Sequence, residues 1–141
     1  MHLTTRGRYA VRAMVDLALH ANSEPVSLRE ISGRQAISEK YLEQLFRSLR
    51  TAGLIRTIRG ARGGYVLGRE ADAINIGEVL LGAGESLTPV DCLSDESRCT
   101  RGPICMLRPC WNELNRVITE FLGSITLSDL CAGRRDGGTD G

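Results

Sequence analysis

Four of the five cysteines in this 141-residue chain crowd into one stretch: Cys92, Cys99, Cys105 and Cys110. Six residues separate the first pair, five the second and four the third. The residues between them are polar, short or helix-breaking, with Gly102, Pro103 and Pro109 among them. Such a segment has almost no apolar content to fold around, so something else must order it. Clustered thiolates suit a bound metal centre. They also suit a thiol switch that closes disulfides on oxidation. A structural zinc holding a protein-interaction module is a third reading. Zinc knuckles, however, leave about two to four residues between paired ligands, and the wider gaps here argue against it.

A second set of chemically able residues lies earlier in the chain. The net charge of +1 hides an asymmetry, because residues 1–69 carry twelve Lys/Arg against five Asp/Glu while residues 70–141 carry six against twelve. Lys40 is the only lysine, so the basic half is built from arginine. Arginine suits bidentate contacts to phosphates and base edges, and a basic half suits a polyanion such as double-stranded DNA. No nucleophile-and-base constellation or phosphate loop is present, so the chain is not read as an enzyme and no small-molecule substrate is expected. An apolar fraction of 42% supports a globular core, and no apolar run reaches membrane-spanning length. A cytoplasmic location without membrane contact is the expectation, and there close cysteines favour metal or redox chemistry over a disulfide framework.

The elements that must position these residues follow from periodicity and caps. A first helix is expected from Thr5 to about Ala21, apolar on nearly all sides and hence buried or shared with a second subunit. Ser27 and Glu30 form a capping box ahead of a short helix over 28–35. Ser38 caps the next helix, 38–51, whose buried stripe is Leu42, Leu45, Phe46 and Leu49. Its opposite face presents Lys40, Glu43, Gln44 and Arg47. Two short helices joined by a tight turn describe a helix-turn-helix, whose second helix enters the major groove. There Gln44 can pair with adenine, Arg47 with guanine or phosphate, and Glu43 can accept from cytosine. Leu54–Arg59 and Tyr65–Leu67 read as strands flanking the turn Gly60-Ala-Arg-Gly-Gly64. That hairpin is a wing, with Arg59 at its base and Arg62 at a tip able to enter the narrow minor groove.

Beyond Gly68, Asn75 caps a short helix to Leu81. Pro109 marks the first turn of a long helix, roughly 107–123. Trp111, Leu114, Ile118, Phe121 or Leu122, and Ile125 form its coiled-coil-like seam, which predicts a homodimer. Thr126 to Leu130 forms a last capped turn or short helix. The fold class is therefore mainly α with a small β-hairpin wing: a winged helix-turn-helix plus a long dimerisation helix. The expected division is a DNA-binding domain over 1–82, a cysteine-rich cluster-binding loop over 83–108, the dimerisation helix and final short helix over 109–131, and a disordered tail over 132–141.

Over about residues 1–131 the chain resembles the IscR-like (Rrf-type) bacterial transcription regulators. The resemblance rests on Leu3-Thr-Thr-Arg-Gly-Arg-Tyr-Ala10, Tyr41-Leu-Glu-Gln-Leu-Phe46, Arg59-Gly-Ala-Arg-Gly-Gly-Tyr65, Ile76-Gly-Glu-Val79 and the cysteine loop. It implies a homodimeric winged helix with an iron–sulfur cluster near the dimer interface, 2Fe–2S in preference to 4Fe–4S. Cys92, Cys99 and Cys105 carry over as ligands. Tyr41, Glu43, Gln44 and Arg59 carry over as DNA-reading positions. One departure stands out. The regulators it most resembles place a histidine three residues after the third cysteine, and here that residue is Arg108. An arginine cannot deprotonate to ligate. Cys110 is the nearest replacement, and Cys131 is a second candidate whose alternative is burial as a hydrophobe.

Overall fold

The structure is a computed structural model. It describes residues 3–22, 24–89 and 106–136, with side chains described as far as 133. Among the described residues the chain forms α1 (Thr5–His20), α2 (Leu28–Gln35), α3 (Glu39–Thr51), β1 (Ile55–Ile58), β2 (Gly64–Leu67), α4 (Ile76–Gly82), α5 (Arg108–Ser124) and α6 (Leu127–Asp136). A single 3-10 turn, Ala71–Ala73, precedes α4. None of the described helices is long and apolar enough to cross a membrane.

Side-chain caps set the helix starts. Thr4 Oγ1 accepts from Gly7 N at the head of α1. Ser27 and Glu30 close the expected capping box on α2, and Asn75 and Glu78 close a second one on α4. Each satisfies two backbone donors that a helix start leaves open. α2 ends on Ala36 in the left-handed region (φ 56), and the chain turns at once into α3. That turn completes the helix-turn-helix.

The core gathers around α1 and α3. Ala10, Ala13, Met14 and Leu17 of α1 meet Ile31 of α2 and the stripe Leu42, Leu45, Phe46 and Leu49 of α3, all fully buried. Val79 of α4 and Leu127 of α6 close the same core from the C-terminal side. β1 and β2 pair antiparallel with Thr57 opposite Tyr65 and Arg56 opposite Val66. Tyr65 also exchanges backbone hydrogen bonds with Val26, at 2.8 and 3.0 Å, which docks the hairpin onto the start of the helix-turn-helix. The architecture is that of a winged helix.

The long helix departs from its expected seam. Leu122 and Ile125 pack on the core, and Leu122 lies over Gly77 of α4. Trp111 and Ile118 are half-buried, while Leu114, Val117 and Phe121 stay exposed. One helix therefore carries two apolar lines, one packed on its own chain and one open. On the solvent side Arg116 bridges Glu113 and Glu120, the latter at 2.8 Å, at the spacings expected from sequence. α6 also runs further than expected. Residues 132–136, assigned from sequence to a disordered tail, are helical, and 137–141 lie outside the described residues.

Candidate nucleic-acid interface and cysteine segment

The polar face of α3 is set by its caps and its buried stripe. Ser38 Oγ accepts from Tyr41 N at 3.1 Å and fixes the first turn. Ser38 thus has a structural task beside any contact it makes, although it remains exposed. With Leu42, Leu45, Phe46 and Leu49 turned inward, Lys40, Glu43, Gln44 and Arg47 are all exposed. Glu43 and Arg47 pair weakly at 3.8 Å one turn apart, with both side chains more than half exposed. Such a pair contributes little to stability and gives way readily to a better partner. Tyr41 differs from its neighbours. It is half-buried, and its ring meets the Tyr9 ring edge-on at 5.8 Å. Arg12 lies over the far partner of that pair, 5.1 Å from the Tyr9 ring centre.

The hairpin beside α3 carries Arg59 and Arg62, both exposed. Its turn is closed by a Gly63 N to Gly60 O hydrogen bond of 3.0 Å. Gly60 sits at φ +118, and a Cβ at Gly63 would run into the Ile58 carbonyl oxygen. Only glycine suits both places. The glycines are therefore needed to form the turn, and Arg59 and Arg62 are left to project from it. Between α3 and the hairpin lies a notch of about 170 Å³ lined by Glu43, Phe46, Arg47, Arg50 and Tyr65. Arg50 and Tyr65 were not among the residues singled out from sequence. Arg50 could have been found there, because it follows Arg47 by three and Glu43 by seven and so shares their helical face. Tyr65 could not, since only the strand register turns it toward α3.

Cys92, Cys99 and Cys105 lie outside the described residues. Cys110 stands exposed in the first turn of α5, and Cys131 is half-buried in α6. Among the described residues no group of His, Cys, Asp and Glu gathers as a metal site. Residues 82–85, on the N-terminal side of the cysteine segment, are held by hydrogen bonds to α1 and α3. Ser48 Oγ donates to Gly82 O at 2.6 Å, tying α3 to the end of α4. Arg6 Nε donates to Ala83 O at 2.5 Å. Glu85, buried to 9% exposure, accepts from Thr4 N at 2.8 Å and from Thr4 Oγ1 at 2.7 Å. Neither Glu85 nor buried Asp16 was anticipated from sequence.

Residues 3–133 match the family model for Rrf2, described as an iron-dependent transcriptional regulator. The HTH-type transcriptional regulator IscR of Erwinia tasmaniensis is 48% identical over 130 residues, spanning 92% of this chain and 78% of that protein. The solved structure of IscR from T. potens superposes with a TM-score of 0.78 at 37% identity, covering 97% of this chain and 90% of that one. CymR, the global cysteine regulator of B. subtilis, superposes with a TM-score of 0.77 at 39% identity, covering 94% and 97%.

Proposed function

Because the chain belongs to the Rrf2 family of transcriptional regulators, we propose that it is a homodimeric sensor that reads double-stranded DNA through α3 and the hairpin and senses iron–sulfur or redox status through its cysteine segment. The observation that carries the DNA half is the juxtaposition of the exposed α3 face with an arginine-bearing glycine turn. Lys40, Glu43, Gln44 and Arg47 would face base edges and phosphates of the major groove, with Ser38 and Tyr41 at its margin. Arg59 and Arg62 would reach the adjacent minor groove, where negative potential is greatest. The exposed line of α5 supports a second copy of the chain as partner, which would set the spacing of two half-sites.

The donor set of Cys92, Cys99 and Cys105 fits an iron–sulfur cluster chemically, since thiolates are its usual ligands. Cys110, exposed at the head of α5, is the nearest candidate for a fourth position. A cluster held there would supply a redox-active centre responsive to iron supply and oxidants. The chain's own part is mechanical. The cysteine segment leaves α4 through residues 82–85, which are bonded to α1 and to the recognition helix. Order gained or lost in the segment would therefore bias both helices. A second reading keeps DNA binding and makes the cysteines a thiol switch; the likeness to a cysteine regulator favours it.

Anaerobically purified protein, assayed for visible charge-transfer absorption, iron and acid-labile sulfide, separates the two. Bands with both elements present are the expected outcome, and their ratio to chain gives the cluster type. Absence of iron after anaerobic reconstitution moves the weight to the thiol switch. DNA reading is tested separately. Glu43→Ala and Gln44→Ala should change which duplexes are preferred, by about 1–3 kcal/mol at the affected base pair. Arg59→Ala and Arg62→Ala should weaken binding. Four variants with unaltered affinity and preference would remove the docking scheme.

A further inference from the structure

A helix in the major groove and a hairpin tip in the neighbouring minor groove straddle one sugar–phosphate strand. That strand must pass over whatever joins helix to hairpin. In this chain the junction is the notch between α3 and β1–β2, and its lining is chemically specific: Arg47 and Arg50 from the helix, Tyr65 from the hairpin and Glu43 at one end, over the Phe46 ring. We infer that the notch is a backbone-phosphate site, in which the Arg50 guanidinium and the Tyr65 hydroxyl hold one phosphate of the strand between the two grooves. The inference rests on the DNA-reading proposal and adds residues to it.

Three observations carry it. Arg50 is exposed in the last turn of α3, and the only hydrogen bond of its side chain among the described residues is a marginal 3.5 Å contact from Nη1 to Thr57 Oγ1. Its remaining donors are available to an anion, and a guanidinium fork matches phosphate oxygens. That single contact also directs the side chain toward the hairpin rather than along the helix.

Tyr65 is the opposite case, a rigid group. Its backbone is bonded on both sides to Val26, and its ring abuts Phe46 edge-on at 5.0 Å and 88°. Its hydroxyl makes no hydrogen bond among the described residues, and Tyr65 is one of the residues that line the notch. Phe46 is fully buried, so the ring that props Tyr65 belongs to the core.

The strand register supplies a matched control. Thr57 pairs with Tyr65 and shares its face toward α3. Arg56 is the preceding residue, so strand alternation turns it the other way. With Val66 it lines a separate cavity behind the hairpin, beside Ala18 and Glu24. Arg50 and Arg56 are thus two exposed arginines close in space, of which only one should meet the strand.

The test measures the salt dependence of binding by the full-length protein to two probes: a pool of random-sequence DNA duplexes and a duplex selected from it by the unsubstituted protein. Arg50→Gln keeps a long helix-compatible side chain and removes the charge. It should lower affinity for both probes by the same factor, about tenfold, and flatten the plot of log affinity against log salt by about one unit per bound chain. Arg50→Lys should restore the slope but only part of the affinity. Tyr65→Phe, which keeps the ring on Phe46, should cost a few-fold in affinity with the slope unchanged. Arg56→Gln should leave both quantities alone. An unaltered slope in Arg50→Gln, or an equal loss in Arg56→Gln, overturns the notch while leaving DNA reading intact. No salt-dependent binding by the unsubstituted protein overturns the DNA proposal and the notch with it.

Discussion

Asp16 lies mid-helix in α1 at 1% exposure, a position where an unpaired carboxylate could not remain charged. Arg34 of α2 meets it with two hydrogen bonds, Nε at 2.9 Å and Nη2 at 2.8 Å, and Gln35 Nε2 adds a third at 2.9 Å. Burial pushes its pKa up, but the Arg34 and Gln35 hydrogen bonds and the charges of Arg34 and His20 together outweigh that push, and the carboxyl titrates below the ordinary aspartate range. A depressed carboxylate pKa contributes stability that is fully present above the unfolded value of about 3.9 and is lost as pH falls through the folded value. Asp16→Asn should therefore destabilise the protein at neutral pH by about 2–3 kcal/mol, less than a fully buried pair would show because Arg34 is 33% exposed and can recover water. Denaturant unfolding across pH should find that difference constant from neutral down to about pH 5 and shrinking in more acidic solution. A difference that widens in acid would show that Asp16 is not held as an anion. Because Asp16 joins α1 to α2, the loss should appear as global unfolding rather than as weakened DNA contact alone.

At the scale of elements, the helices that announce themselves through local chemistry were legible. Ser27 with Glu30, Ser38, and Asn75 spoke through their side chains to backbone within three residues, and each helix begins where its cap stands. The turn glycines were legible for the same reason. What sequence could not resolve was long-range. α5 has apolar residues on two lines, and the choice between Phe121 and Leu122 for its packed face depends on α4 across the interface. Leu122 faces Gly77 and Phe121 is 62% exposed. Val117, omitted from the expected seam, completes the open line with Leu114, at 48% and 40% exposure. Likewise nothing local in the sequence marks Asp16 or Glu85 as buried, because their partners lie 18 and 81 residues away. The open line of α5 makes a specific prediction. Three exposed apolar side chains at positions 114, 117 and 121 repeat as a coiled-coil seam does, and a second copy would cover them. Phe121→Glu should shift the protein from dimer to monomer in sedimentation, with helix content retained because Phe121 contributes nothing to the chain's own core. DNA affinity should fall with it, since two half-sites would no longer be joined. A Phe121→Glu protein that remains dimeric would place the partner surface elsewhere.

Across the whole molecule, the basic half and the cysteine segment have to be joined mechanically if one is to govern the other. The described contacts converge on residues 82–85. Gly82 accepts from Ser48 of α3, Ala83 accepts from Arg6, and Glu85 holds the cap residue of α1. Close packing adds to the hydrogen bonds, because a Cβ at Gly82 would approach Leu54 Cδ1 to 2.9 Å and one at Gly7 would approach the Glu85 carboxyl carbon to 2.8 Å. A segment so tightly keyed cannot shift without moving α1 or α3. The coupling between cysteine chemistry and DNA affinity should accordingly be of ordinary size, about 1–3 kcal/mol, or roughly 5- to 150-fold between untreated and iron-stripped or oxidised protein. Ser48→Ala removes the link to α3 without touching the polar face. Combined with Glu85→Ala it should bring that factor toward one. The DNA affinity of the untreated protein should change by only a few-fold, since neither residue lies on the proposed interface. Fluorescence anisotropy with a selected duplex, before and after treatment, measures both numbers. If the double variant keeps the full factor, the signal does not pass through residues 82–85, and the head of α5, where Cys110 stands, becomes the route to test.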